Sequence, residues 1–200
     1  MKKYETVVFD LDGTLLNTLE DLADATNHAL RTMQMPERTI GEVRSFVGNG
    51  VRRLMELSVP GGFDNPKFEE TFSIFKKYYG EHCNDKTRAY DGVVPLLREL
   101  KEKGYRIYLL SNYSKDFFQK HTKDASFMRD LDGAVVSYQI HETKPDAAIY
   151  EYLLEKYQLN PAECLFFDDR TENVEGAVNV GIAAKRVISQ EQLLEMLAKL

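Results

Sequence analysis

Acidic and small polar side chains follow three apolar segments of the sequence, at the point where each segment ends. Asp10-Leu11-Asp12-Gly13-Thr14 comes directly after the first segment, Ser111-Asn112 after the second and Asp168-Asp169 after the third. Adjacent carboxylates repel each other in a crevice unless a cation neutralises them. The sequence also offers Lys144 as a positive charge. Carboxylates, hydroxyls and positive charge are the groups that phosphoryl-transfer chemistry needs.

Each of these motifs also has an ordinary structural interpretation. Asp, Gly and Thr are common in strand-to-helix turns, and Ser and Asn are common helix N-caps. Asp168-Asp169 could be an N-cap pair that the dipole of the following helix favours. A lone lysine is usually a surface residue, and Pro145 directly after it suits the first turn of a helix. The functional interpretation therefore depends on the ensemble, because independent segment ends supply residues for one chemistry in a consistent order.

Short apolar segments alternate with amphipathic segments along most of the chain, which is typical of a parallel sheet covered by helices. In such a sheet, ligands bind at the carboxyl ends of the strands. The predicted strands are residues 6–9, 106–110, 134–136, 164–167 and 182–187. The predicted helices between the later strands are residues 93–103, 115–122, 147–157, 172–180 and 190–199.

A long stretch after the first strand shows only helix-period patterns. Its aromatic residues at positions 68, 72, 75 and 79 recur at steps of three and four, as in the core of a helix bundle. Thr39 and Glu42 have the spacing of a capping box. The expected fold class is α/β, a doubly wound, Rossmann-like parallel sheet with an inserted helical domain. The expected domains are a core of residues 1–16 and 86–200 and an insertion of residues 17–85.

Composition excludes several classes of protein. The 200 residues carry 26 Lys plus Arg against 32 Asp plus Glu, a net charge of −6, which argues against a nucleic-acid partner. The apolar runs are too short to span a bilayer, and no apolar stretch follows the basic residues after Met1. The two cysteines match no paired metal spacing and suit a reducing compartment. We therefore expect a cytoplasmic protein that is a monomer or weak dimer.

The combined motifs resemble those of the haloacid dehalogenase superfamily, and within it the phosphatase branch. Phe9-Asp10-Leu11-Asp12-Gly13-Thr14-Leu15 is similar to the first motif, Ser111 to the second, Lys144 to the third and Asp168-Asp169 to the fourth. The helical insertion is similar to the α-helical cap of this branch. The resemblance covers the whole chain and implies a small-molecule phosphate ester as substrate and Mg²⁺ as cofactor.

The resemblance also implies a role for each motif residue. Asp10 would be the nucleophile, and Asp12 would protonate the leaving alcohol and then deprotonate the hydrolytic water. Mg²⁺ would be held by Asp10, Asp169 and the backbone carbonyl of Asp12, with Asp168 in support. The residues expected to bind the phosphoryl group are Thr14, Ser111, Asn112 and Lys144.

The two halves of the sequence resemble different phosphatases. Residues 18–22 and 46–50 look most like phosphoglycolate phosphatases, whereas residues 167–173 look more like sugar-phosphate phosphatases of the same superfamily. Both substrate classes therefore stay open. Within the insertion, one arginine could meet an anionic group of the substrate, although a solvated helix face explains the same residues. The residues expected to select the substrate are Gly48, Asn49, Arg52 and Arg53.

Other activities share parts of this pattern. A phosphomutase of the β-phosphoglucomutase type has every core motif, but usually carries an apolar residue where this chain has Thr14. A haloacid dehalogenase is disfavoured because that chemistry needs no metal and lacks the carboxylate of Asp12. A non-catalytic module that binds a phospho-ligand would be expected to have lost Asp10, Lys144 or Asp169, and all three are present.

Overall fold

The computed structural model describes residues 3–48 and 50–200, and most of the strands lie in one sheet. The five longer strands are those predicted from the sequence, with ends that differ by at most one residue. The strands are β1 (Thr6–Phe9), β2 (Leu16–Asn17), β3 (Arg88–Ala89), β4 (Arg106–Ser111), β5 (Gly133–Val136), β6 (Cys164–Asp168) and β7 (Ala183–Arg186).

The helices between the later strands also lie where the sequence predicts them. The position predicted for Pro145, in the first turn of a helix, is wrong. The helix after Pro145 begins at Ala147 and has Asp146 as its N-cap. The helices are α1 (Leu19–Thr32), α2 (Ile40–Phe46), α3 (Gly50–Ser58), α4 (Phe68–His82), α5 (Val93–Glu102), α6 (Lys115–Thr122), α7 (Ser137–Ile140), α8 (Ala147–Tyr157), α9 (Thr171–Asn179) and α10 (Gln190–Leu197).

The main sheet is parallel and has the strand order β5-β4-β1-β6-β7. Strand β1 lies in the centre, and Phe9 near its end is in register with Leu109 of β4 and with Phe167 of β6. All four residues of β1 are buried, as expected for a strand with both faces covered. The chain adds β4 and β5 on one side of β1 and then β6 and β7 on the other side. Because the strands are parallel, the polar residues at the ends of β1, β4 and β6 lie at the same edge of the sheet. The prediction of a doubly wound α/β sheet is confirmed.

The chain forms two compact units. The first contains the chain up to Leu16, Ala89–Lys115 and Asp124–Leu200, and the second contains Asn17–Arg88 and Asp116–Lys123. We call the second unit the helical unit. It extends beyond the predicted insertion of residues 17–85 and includes most of α6. Its aromatic ring at Phe117 lies 4.6 Å from that of Tyr79. The roles of catalytic core and cap for the two units stay predictions.

The helical unit has its own apolar core, in which α1 packs against α4. The predicted aromatic stripe of α4 is buried, and its rings stack in sequence along the helix from Phe68 to Tyr79. The capping box predicted at α2 is present, since the Thr39 Oγ1 accepts from the Glu42 N–H and Glu42 Oε2 accepts from the Thr39 N–H. Within the described residues, no helix is both long and apolar enough to cross a membrane.

Candidate active site

The polar residues predicted to act together meet at the carboxyl edge of the main sheet. Asp10 follows β1 directly, and its backbone N–H donates to the carbonyl of Phe167 at 2.9 Å. Ser111 is the last residue of β4 and Asp168 the last of β6. Ser111 Oγ donates to Asp10 Oδ1 at 3.0 Å. The parallel register of the three strands therefore brings these side chains to one point of the sheet.

Lys144 reaches this point from the segment before α8. Its Nζ donates to Asp10 Oδ1 and to Asp168 Oδ2, both at 2.6 Å. The Lys144 side chain is only 1% exposed, so the interpretation of this residue as a surface lysine is wrong. A buried ammonium is strongly disfavoured unless it is paired and hydrogen-bonded, and the two aspartates supply that pairing.

Asp168 is held by the start of the helix that follows it. Asn173 Nδ2 lies 3.0 Å from each carboxylate oxygen, and the Arg170 N–H donates to Oδ1 at 2.9 Å. No role for Asn173 was predicted from the sequence. The signal for it was its spacing, because a residue one turn into a helix can face back toward the strand end.

The carboxylates of Asp10, Asp168 and Asp169 form a cluster in which one oxygen from each lies within 4.8 Å of the others. Gly13 lies against this cluster, since a Cβ at its position would be 2.8 Å from Asp169 Oδ2. The φ of Gly13 is +83°, which side chains rarely allow. Glycine is therefore required here both by the backbone turn and by the close approach of Asp169.

The cluster carries more negative charge than its surroundings balance. Burial raises the pKa of Asp169 to about 8, helped by the charges of Asp10, Asp168 and Asp12. Burial also raises the pKa of Asp10 to about 6, against the opposing effect of Lys144. Burial alone would lower the pKa of Lys144, but Asp10 and Asp168 outweigh it and the pKa is raised. Lys144 is therefore the charged partner, and the carboxylates compete for it.

These residues fit a divalent cation. Carboxylate oxygens are the ligands that a hard cation such as Mg²⁺ prefers, and three carboxylates meet in this cluster. Such an ion would offset their mutual repulsion. Thr14 adds a second sign of a missing ligand, because its Oγ1 is buried with no hydrogen-bond partner among the described residues. An unpaired buried hydroxyl is unfavourable, so the Thr14 hydroxyl fits a site that is completed by a bound anion.

The remaining residues predicted for the core also lie at this edge. Asp12 is half-buried in the turn after β1, and its backbone pairs with that of Leu16 in a single β-bridge. Asn112 follows Ser111, and its side chain bonds to the main chain of Lys144.

The residues predicted to select the substrate lie in the helical unit. Gly48 follows α2 with a φ of +119°, and Asn49 lies outside the described residues. Arg52 and Arg53 are on α3, with side chains that are 52% and 48% exposed. Arg52 pairs with Glu69 and lies over the rings of three phenylalanines, and Arg53 pairs with Glu56. Both arginines are therefore already engaged with glutamates of the same unit.

Comparison with known proteins assigns the chain to a family. The model of the haloacid dehalogenase-like hydrolase family matches residues 7–187, which include every core motif. The chain belongs to this family. The resemblance found in the sequence is thereby confirmed, and the chain is a hydrolase of the haloacid dehalogenase type.

Relatives within the family carry a more specific name. The phosphoglycolate phosphatase of Thiobacillus denitrificans is 29% identical over 181 residues, 88% of this chain and 80% of the relative. That of Vibrio vulnificus strain CMCP6 is 29% identical over 193 residues, 92% and 83% of the two chains. Both relatives match over most of their length.

Solved structures of the family agree with the fold. A predicted phosphoglycolate phosphatase from Haemophilus somnus 129pt superposes with a TM-score of 0.82 at 28% identity, over 92% of this chain and 85% of that one. A haloacid dehalogenase-like family hydrolase from Streptococcus pneumoniae gives a TM-score of 0.78 over 98% and 91%. Its identity of 22% supports the fold alone.

Proposed function

We propose that this hydrolase cleaves a small phosphate monoester through an aspartyl-phosphate on Asp10. The observation that carries the proposal is the position of the Asp10 carboxylate, which lies at the strand edge within hydrogen-bond reach of Ser111 and Lys144. A carboxylate nucleophile needs such neighbours, because it must approach an anionic phosphate. The names of the relatives support a phosphate ester as the substrate.

The main obstacle to this reaction is repulsion between two anions. At 4 Å and an effective dielectric constant of about 20, one like-charge pair is unfavourable by roughly 4 kcal/mol. Lys144 brings one positive charge to Asp10. Mg²⁺, when bound, would supply further positive charge and orient the phosphoryl group. The residues that would hold it are Asp10, Asp169 and the backbone carbonyl of Asp12, with Asp168 in support.

The proposed reaction has two displacement steps. An oxygen of Asp10 attacks phosphorus, and the bond to the leaving alcohol breaks while Asp12 protonates the alcohol oxygen. Asp12 then takes a proton from water, whose oxygen attacks the same phosphorus and releases inorganic phosphate from Asp10. Throughout, hydroxyls and backbone amides donate to the phosphoryl oxygens. The donors are Ser111, Thr14, Lys144 and the amides of Leu11 and Asn112.

Phosphoglycolate is the substrate we propose. Two of the most similar relatives are phosphoglycolate phosphatases, and the sequence resembles those enzymes in its first half. This half includes Arg52 and Arg53, which provide positive charge for a second anionic group on the substrate.

Hydrolysis of a generic aryl phosphate by the purified protein tests the proposal. We expect turnover with Mg²⁺, loss of turnover with EDTA, and a decrease of at least about a thousandfold in Asp10→Asn. Asp124→Asn, which changes an exposed aspartate, is the matched control and should behave like the wild type. In Asp12→Asn, phosphoprotein should accumulate and be detectable by mass spectrometry. Metal-independent turnover, or an active Asp10→Asn, would contradict the mechanism.

A further inference from the structure

The main chain around Lys144 is held by a side chain from another strand end. The Lys144 N–H donates to Asn112 Oδ1 at 2.8 Å, and Asn112 Nδ2 donates to the Lys144 carbonyl at 2.9 Å. A planar amide that bonds to the N–H and the carbonyl of one residue fixes the orientation of that residue's backbone. The direction in which the Lys144 side chain leaves the main chain is therefore set by Asn112.

The next residue is held by a close approach to α9. A Cβ at Gly176 would lie 2.5 Å from the Pro145 carbonyl oxygen and 3.1 Å from Pro145 Cβ. Gly176 is inside α9, where glycine is less favourable than alanine. Its φ is not in the left-handed region, so the backbone conformation gives no reason for a glycine. Close packing of the Lys144–Pro145 segment against the helix is the reason that the structure offers.

The other neighbour of Gly176 cannot move aside easily. Tyr150 Cε2 would be 3.1 Å from the added Cβ. Tyr150 is fully buried, and its hydroxyl donates to the Asn173 carbonyl at 2.7 Å. A methyl group at position 176 would therefore displace the segment that contains Pro145.

A displacement of the segment that contains Pro145 would also move the Lys144 ammonium. Nζ makes two contacts of 2.6 Å, to Asp10 and to Asp168, from a side chain that is 1% exposed. A backbone shift at Pro145 lengthens at least one of them, because a packed interior leaves little room for the side chain to compensate.

We propose that Gly176 and Asn112 are positioning residues for Lys144. They act through the main chain of Lys144 and Pro145, and together they hold the ammonium against Asp10 and Asp168. The effect on catalysis rests on the proposed phosphatase function, whereas the placement of Lys144 can be measured without it.

Kinetics of Gly176→Ala test the catalytic part. We expect kcat for an aryl phosphate to fall roughly 10- to 100-fold, as for a small misplacement of a reacting group. The matched control is Gly80→Ala in α4, where a Cβ would meet only Lys120 Nζ at an ordinary 3.8 Å. This control should keep the kcat of the wild type.

Chemical labelling tests the placement directly. Lys144 in the wild type should resist a lysine-acylating reagent, and Gly176→Ala should increase its labelling several-fold, as measured by mass spectrometry. Cys164 on β6 is 0% exposed and reports any general opening of the same core through its reaction with a thiol reagent. A loss of positioning exposes Lys144 alone, whereas a general loss of structure exposes both residues.

The proposal is overturned if kcat of Gly176→Ala equals that of the wild type, if kcat falls while Lys144 stays protected, or if Cys164 is labelled in parallel. Should Gly176→Ala fail to fold, Asn112→Ala removes the other contact and is held to the same criteria. If the wild type cleaves no phosphate ester, the proposed function fails. The labelling of Lys144 then decides the positioning role alone.

Discussion

Charge balance at the end of β1 and β6 is the dominant property at the scale of single residues. Asp10, Asp168 and Asp169 lie together, and the ammonium of Lys144 forms ion pairs with Asp10 and Asp168. Buried carboxylates in this ratio favour either a proton or a metal ion on the cluster. Burial and the neighbouring carboxylates raise the pKa of Asp169 to about 8, and the opposing effect of Lys144 is the smallest of these influences.

The stability of the metal-free protein should consequently fall as pH rises from about 6.5 to about 8. The pKa of Asp169 is about 8 in the folded protein and near 3.8 when unfolded. The folded state therefore binds more protons across this range, and raising the pH favours unfolding. Urea denaturation in EDTA measures the effect, and Mg²⁺ should reduce it.

Asp169→Asn is the matched variant for this pH dependence. It should flatten the decrease and abolish the additional stability given by Mg²⁺ at high pH. An equally steep decrease in Asp169→Asn would assign the pH dependence to another group.

The sequence predicted most of this site but not how its parts are held. Asp10, Ser111 and Asp169 follow strands of a parallel sheet, and that rule alone places them together. The burial of Lys144 and the contact of Gly176 with Pro145 depend on segments far apart in the chain. No local pattern encodes such contacts, so only the structure reveals them.

At the scale of elements, periodicity predicted which segments are helices but not which neighbours they contact. Helix α6 follows β4 in the alternation and was expected among the helices of the sheet. Its residues 116–122 lie instead in the helical unit, where His121 Nε2 is 3.5 Å from the Tyr79 hydroxyl. His121 is buried there. A local pattern could not predict this, because the partner helix is distant in sequence.

The buried His121 should make the helical unit sensitive to acid. Burial lowers its pKa to about 4, below the ordinary value of 6.5. The unfolded chain then binds the proton more readily, so this contribution to stability is lost as pH falls from about 6.5 to about 4. When the pH falls from 7 to 4.5, the unfolding free energy of the wild type should therefore decrease by roughly 2 kcal/mol more than that of His121→Phe.

Urea denaturation of both proteins, followed by circular dichroism, measures that difference. Both proteins contain the same carboxylates, so the titration of these groups cancels in the difference. A difference that does not change with pH would show that His121 is not the group responsible.

At the scale of the whole molecule, the residues proposed for the chemistry and those proposed for substrate choice belong to different units. The groups proposed to transfer the phosphoryl group all lie in the unit that contains the main sheet. Arg52 and Arg53 lie in the helical unit, and each is paired with a glutamate. Exposed ion pairs contribute little to stability, so an anionic ligand can displace the glutamate from its arginine.

Substrate preference should therefore change in opposite directions when the two members of one ion pair are replaced. If Arg52 meets the second anionic group of phosphoglycolate, Arg52→Ala should raise KM for phosphoglycolate roughly tenfold through loss of a charge-assisted contact. Glu69→Gln, which removes the competing carboxylate, should lower it. The corresponding variants for the other pair are Arg53→Ala and Glu56→Gln. In each variant, KM for an aryl phosphate that has no second anionic group serves as the control and should stay unchanged. A preference for hexose phosphates, whose sugar carries no charge, together with wild-type kinetics in both arginine variants, would show that neither arginine selects the substrate.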